Sequence, residues 1–163
     1  MNIYDFAIQK ELEGEAFYRS IADKSSHAWL KQIFLLLAEE EVKHRIFLER
    51  LQEGDSNPEL SESNTLDSVK KLFSSLEKSL IPAIFIGDES ALYSTALILE
   101  DESSKLYAQK ALEASSPAQA TLFQRLAAEE RMHATLIQGI LQFLENPKIW
   151  LENAEWSHLG SEY

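Results

Sequence analysis

The sequence predicts an all-α protein, a bundle of four long helices with one long crossover between the second and the third. Glycine and proline are scarce, at 5 and 4 of 163 residues, and good helix formers such as Leu, Ala, Glu and Lys are abundant. Apolar residues recur every three or four positions over four long stretches, which is typical of helices that bury one face. The second half also repeats the pattern of the first at an offset of 89 positions.

The four long helices are predicted from this periodicity and from their end signals. The first covers residues 2–24 and the second 27–53, with Gly54 stopping it,. The third covers 89–114 and the fourth 117–145. Ser116, Pro117 and Gln119 form a capping-box pattern at the start of the fourth, with proline at the first helical position,.

The segment between the second and third long helices is too long for a hairpin turn. It contains an amphipathic stretch that predicts a short extra helix over residues 66–80, followed by the apolar segment 81–86, which we expect to form a dimer contact,. Such a crossover lets the second and third long helices run parallel. The tail, residues 147–163, is expected to be a short helix or extension docked on the bundle or on a second subunit. We predict one domain over residues 1–163.

Composition excludes several classes of function. The formal charge of -12 argues against nucleic acid and anionic membranes as partners,. No cysteine is present, so disulfides, thiolate metal sites and cysteine nucleophiles are excluded. No apolar stretch approaches about 20 residues, the length of a membrane span. A cytoplasmic location is the default expectation.

The repeat carries a set of possible metal ligands. In each half a Glu is followed 30 positions later by a Glu-x-x-His, and all of these residues interrupt apolar stripes in mid-helix. An unpaired carboxylate buried there would cost several kcal/mol. Counting residues from each turn places them at one level of the bundle. The candidate ligands are Glu11, Glu41, His44, Glu100, Glu130 and His133.

Four carboxylates and two imidazoles suit iron or manganese, with zinc able to replace them in vitro. Two divalent ions would balance the four negative charges. Glu11 and Glu100 are expected as terminal ligands, and Glu41 and Glu130 as bridges. This arrangement is known from ferritin-like di-iron and di-manganese proteins, whose bundles have one long crossover.

Three further acids and two tyrosines lie near these residues in sequence. Glu39, Glu40 and Glu129 are expected on exposed faces. Tyr18 and Tyr107 each follow a ligand Glu by seven residues on the same face. Two interpretations stay open for them: a hydrogen bond to a coordinating carboxylate or an electron relay, or a core aromatic whose hydroxyl is satisfied elsewhere.

The stretch of residues 7–18, AIQKELEGEAFY, together with the two Glu-x-x-His motifs, resembles the rubrerythrin branch of the ferritin-like superfamily. The resemblance implies a di-iron(II) site that is oxidised by hydrogen peroxide or dioxygen. Typical rubrerythrins carry a cysteine-rich rubredoxin module, which this sequence lacks, so an external electron donor such as a rubredoxin-like protein is expected. They also have an extra Glu ligand at the position that Ser103 occupies here.

Other functions fit the same residues. A non-catalytic iron-binding or buffering protein is one, and a di-manganese, catalase-like enzyme is another. A helical scaffold that acts only through interactions is the third. A homodimer is the expected assembly.

Overall fold

Five α-helices form the regular structure of residues 2–75 and 89–145, the part of the chain that the computed structural model describes. No strand occurs among these residues, so the predicted all-α fold is confirmed. The helices are α1 (Ile3–Lys24), α2 (Ala28–Gln52), α3 (Thr65–Ser75), α4 (Glu89–Glu113) and α5 (Pro117–Glu145). The predicted apolar segment 81–86, the end of the predicted short helix after residue 75 and the tail 147–163 lie outside the described residues.

The helix ends are fixed by local hydrogen bonds. Asn2 and Asp5 form a capping box at α1, in which each side chain accepts from the other residue's backbone N–H,. At α2, Gly54 follows the last turn with a φ of 100°, a conformation that favours glycine,. At α5 the capping box is half formed. Ser116 Oγ accepts from the N–H of Gln119, whereas the Gln119 side chain accepts from Ser115 instead.

The long helices pack as two hairpins, α1 with α2 and α4 with α5, and α1 also contacts α4 along a smaller area. α3, in the crossover, packs against α2. The first apolar cluster joins the N-terminal half of α2 to the N-terminal half of α4. A second cluster joins their C-terminal halves. These two long helices therefore run in the same direction, as the crossover predicted.

The two apolar clusters leave a polar level between them. The first contains Tyr18, Phe34 and Tyr93, and the rings of Phe34 and Tyr93 stack with centroids 5.1 Å apart. The second contains Phe47 and Tyr107. The acids and histidines of the repeat fall between the two clusters on every long helix. Apolar packing therefore closes the bundle on both sides of them.

The importance of this packing can be tested with one substitution at two positions. Leu37 is 0% exposed and Leu112 is 81% exposed. Leu37→Ala should lower the free energy of unfolding by about 2–5 kcal/mol, because it leaves a cavity beside the polar level. Leu112→Ala, the matched control, should change it by less than about 0.5 kcal/mol. Urea titration of the metal-free protein measures both. Equal losses would contradict the described burial.

Candidate metal centre

The structure brings all six candidate ligands together at the middle of the bundle. Each is buried, with at most 4% of its surface exposed. α1 and α4 each supply one Glu, and α2 and α5 each supply a Glu and a His one turn apart, so both members of each pair face inward. The six residues are Glu11, Glu41, His44, Glu100, Glu130 and His133.

These six residues form two overlapping groups. Glu11 and His44 belong to the first group, Glu100 and His133 to the second, and Glu41 and Glu130 to both. Within each group one ligand atom per residue lies within 4.8 Å of the others. The two shared carboxylates come from the two Glu-x-x-His motifs. Two cation positions with carboxylates common to both is the geometry that a bridged pair of ions requires.

The imidazole of His44 faces the centre through one nitrogen and the periphery through the other. Its Nδ1 lies 2.8 Å from Oε1 of Glu130 and 3.5 Å from Oε2 of Glu11. Its Nε2 lies 2.7 Å from Oε2 of Glu129. A carboxylate at Nε2 fixes the ring orientation and the tautomer and leaves Nδ1 free for a cation.

His133 faces the other group through the same ring nitrogen. Its Nδ1 lies 3.3 Å from Oε1 of Glu41 and 3.4 Å from Oε1 of Glu100. The two imidazole rings are 5.7 Å apart between centroids, with 15° between their planes. The centre is therefore close to symmetric, as the sequence repeat requires.

Several atoms of this centre are buried without a hydrogen-bond partner in the described residues. They are Glu11 Oε2, Glu41 Oε1, Glu100 Oε2 and both ring nitrogens of His133. Unpaired buried polar atoms are rare in native proteins because each costs the desolvation of that group. Here they converge, and all are atom types that coordinate iron and manganese. The residues present therefore fit a pair of bound cations.

The two tyrosines are hydrogen-bonded to the centre, each across to the opposite half of the repeat. The hydroxyl of Tyr18 on α1 donates to Oε1 of Glu100 on α4. The hydroxyl of Tyr107 on α4 donates to Oε1 of Glu11 on α1. Burial, and then the charge of the carboxylate that each one contacts, raise the pKa of both phenols well above the ordinary value. Both remain neutral donors that orient the two carboxylates.

The expectation that Glu40 and Glu129 lie on exposed faces was wrong. Glu40 is 3% exposed and Glu129 is 9% exposed, and both lie at the centre's edge with His44. The repeat carried a signal that could have found them, since they are 89 positions apart and each immediately precedes a shared Glu. Helix periodicity assigned both residues to exposed faces, because the pattern along one helix does not show which neighbouring residues cover it.

The crossover holds Glu40 in place. Thr65, the first residue of α3, donates from Oγ1 to Glu40 Oε1 at 3.0 Å, and Lys43 Nζ lies 3.2 Å from the same oxygen. Burial raises the pKa of Glu40, but the charges of His133 and Lys43 outweigh it and hold the pKa below its ordinary value. Glu40 is therefore an anion near the ring of His133.

The four central carboxyl groups differ in the direction of their pKa shifts: two pKa values are raised and two are lowered. Burial, and then the charge of Glu130, raise the pKa of Glu41 well above its ordinary value and that of Glu100 to about 8. Burial also acts to raise the pKa of Glu11, but its contact with Glu41 and the charge of His44 lower it. The pKa of Glu130 is likewise lowered.

The two histidines complete the charge balance of the metal-free protein. Burial acts to lower the pKa of each ring. The charges of Glu130 and Glu11 raise the pKa of His44, and that of Glu100 raises the pKa of His133. Among the six residues of the metal-free protein, these pKa shifts favour two charged carboxylates, Glu11 and Glu130, and two charged imidazoles, whose charges offset one another. Binding of two cations would therefore release protons from two carboxyl groups and from two imidazole rings.

A scan against protein-family models matches residues 2–141 to the rubrerythrin family. The chain belongs to the rubrerythrin family. Members of this family are typically di-iron oxidoreductases, and the buried acid and histidine groups support metal binding here. A search of curated proteins and a search of solved structures each found no significant match. None of the helices in the described residues of this rubrerythrin-family chain is long and apolar enough to cross a membrane.

The metal-free protein should lose stability as the pH rises. The raised pKa values of His44 and His133 mean that the stability from their charged forms is complete below about pH 6.5 and is lost as the pH rises through the folded-state values,. Glu100 acts in the same direction between pH 4.5 and about 8. Melting temperatures of chelator-treated protein should therefore fall from about pH 6 to about pH 9. A constant or rising series would contradict this electrostatic picture.

Glu100→Gln measures how much a single carboxyl group of the centre contributes to this pH dependence. The amide cannot ionise, and its oxygen still accepts from Tyr18, so the melting temperature of the metal-free variant should depend less on pH between 4.5 and about 8,. Glu102→Gln, on the exposed side of the same helix, is the matched control and should keep the wild-type slope. Equal slopes in wild type and Glu100→Gln would show that Glu100 titrates normally.

Proposed function

We propose that this protein binds two iron ions in the bundle and uses them to reduce hydrogen peroxide or dioxygen. The observation that carries the proposal is the pair of overlapping groups that share Glu41 and Glu130. Membership of the rubrerythrin family supports iron as the metal. Manganese fits the same ligand types, and zinc is expected to bind in vitro.

The ligand roles follow from the two groups. Glu11 and His44 would hold one ion, Glu100 and His133 the other, and the two shared carboxylates would bridge them. When bound by these residues, a ferrous pair would supply the two electrons that, with two protons, reduce hydrogen peroxide to two water molecules.

The surrounding residues fix the ligands before any ion arrives. Glu129 accepts the proton on Nε2 of His44, so that Nδ1 points to the centre and would present its lone pair there once a cation displaces its proton. Tyr18 and Tyr107 hold one oxygen each of Glu100 and Glu11. Such preorganisation spares the cost of ordering the ligands on binding and keeps the two cation positions at a set separation.

The apolar clusters on both sides of the centre exclude bulk water. Low local polarity strengthens the attraction between cations and carboxylates and keeps reactive oxygen species away from solvent. The same layers explain why the four carboxyl groups need cations or protons, because at most 4% of the surface of each residue is exposed to solvent.

Repeated turnover would require a source of electrons. The 163-residue sequence contains no cysteine, so we propose that an external donor, such as a rubredoxin-like protein, returns electrons to the iron. The lack of cysteine in these 163 residues also motivates the alternative of an iron-binding protein without sustained turnover. The homodimer and the cytoplasmic location stay predictions.

Metal loading and oxidation test the function together. Protein reconstituted anaerobically should hold two ferrous ions per chain, and one equivalent of hydrogen peroxide should oxidise both, which is followed by stopped-flow absorbance. His44→Ala and His133→Ala should each lower iron content by about half or more, because each removes the only imidazole of one group,. His27→Ala is the matched control, since His27 is in neither group.

Three outcomes separate the alternatives. Iron that stays ferrous in the presence of peroxide would refute the proposed reduction and leave a metal buffer. Oxygen evolution from peroxide by the manganese form, but not by the iron form, would favour a catalase-like enzyme. Unchanged metal content in both histidine variants would contradict the centre itself.

A further inference from the structure

A small cavity lies between α1 and α4 and reaches the metal centre. Its volume is about 20 Å³, and a water molecule needs about 10–15 Å³. The cavity therefore accommodates a ligand of one or two heavy atoms. Its wall includes two of the six candidate ligands, Glu41 and Glu100.

Two small residues at equivalent positions of the repeat leave this space open. Gly14 and Ser103 are 89 positions apart, each one turn after the Glu that its helix contributes, and both line the cavity. A Cβ atom on Gly14 would lie 3.0 Å from Oε2 and 3.2 Å from Cδ of Glu41. A side chain at position 14 would thus occupy space beside the Glu41 carboxylate.

The carboxyl groups that line the cavity belong to the centre itself. Oε1 of Glu41 and Oε2 of Glu100 are buried and make no hydrogen bond within the described part of the chain. Glu41 is 4% exposed and Glu100 is 3% exposed. The cavity therefore opens onto two carboxyl groups of the centre, and a ligand inside it lies next to the cation positions that these groups would hold.

Larger cavities lie elsewhere on the molecule. Two have volumes of about 320 Å³ and 310 Å³, and none of the six candidate ligands lines either of them. Glu129, at the edge of the centre, lines the second of them, but a bulky substrate held in either would touch none of the six candidate ligands. Lys10 and Glu13 also line the small cavity, and their opposite charges give no preference for an anion or a cation.

We propose that the gap between Gly14 and Ser103 is the entrance by which a neutral ligand of two heavy atoms reaches the metal pair. The inference rests on the proposed function, under which this ligand is hydrogen peroxide or dioxygen. The entrance sets the substrate class: the walls contributed by α1 and α4 exclude organic hydroperoxides, whose alkyl groups do not fit a space of about 20 Å³.

A series at Ser103 tests the entrance without relying on turnover. Ser103→Ala, Ser103→Val and Ser103→Leu place progressively larger apolar groups in the gap, and the probe is nitric oxide, a neutral molecule of two heavy atoms that binds ferrous iron. The association rate should fall from Ala to Leu by about tenfold, a barrier change of about 1.4 kcal/mol. Iron content and circular dichroism of each variant identify those that retain the fold and the centre.

Ser94→Leu is the matched control, because Ser94 is exposed on the same helix and is absent from the cavity wall. It should keep the wild-type rate. In wild type, hydrogen peroxide should oxidise the iron at least about tenfold faster than cumene hydroperoxide does, again about 1.4 kcal/mol in barrier height. A nitric oxide rate that is constant among the Ser103 variants that bind two irons would overturn the entrance, as would equal rates for the two peroxides.

The two proposals fail in different ways. If nitric oxide binding slows along the Ser103 series while peroxide leaves the iron ferrous, the entrance stands and the proposed reduction falls. If peroxide oxidises the iron and nitric oxide binds all variants equally fast, the reduction stands and the entrance falls. A wild-type protein that binds no iron would overturn both.

Discussion

The structure depends on neutralising four carboxyl groups that are buried at one level of an apolar bundle. Removing carboxylates from water costs several kcal/mol each unless positive charge or hydrogen bonds compensate. Without metal, compensation comes from protons, because burial and the charge of Glu130 raise the pKa of Glu41 and Glu100, and neighbouring carboxylates raise the pKa of both imidazoles. With metal, two divalent cations would replace these protons. The fold therefore contains a centre whose carboxyl groups are neutralised by protons in the metal-free protein and would be neutralised by cations when metal binds.

The internal repeat explains how one chain builds such a centre. Each half supplies one hairpin with three ligands, and neither hairpin can enclose an ion pair alone. The halves also support each other crosswise, since Tyr18 orients Glu100 and Tyr107 orients Glu11. Each hairpin thus positions a ligand of the other, which couples the formation of the centre to the docking of the two hairpins.

The two halves of the repeat differ at the edge of the centre, where α3 of the crossover contributes a hydrogen bond. Glu129 contacts His44 directly, whereas its counterpart Glu40 is held by Thr65 of α3 and by Lys43. His133, the counterpart of His44, has no hydrogen-bond partner at either ring nitrogen in the described residues. The surroundings of the two imidazoles therefore differ, which gives the two cation positions different electrostatic environments.

The sequence by itself determined the helical class, the order of the long helices and the six residues that meet. Periodicity places these residues on inward faces, and equal distances from the turns place them at one height. Only the tertiary structure decided that Glu40 and Glu129 are buried, that each tyrosine reaches the opposite half, and that a small cavity opens between Gly14 and Ser103. These features depend on the separation and register of neighbouring helices. Side-chain packing across the interface sets both, and the pattern along a single helix does not contain that information.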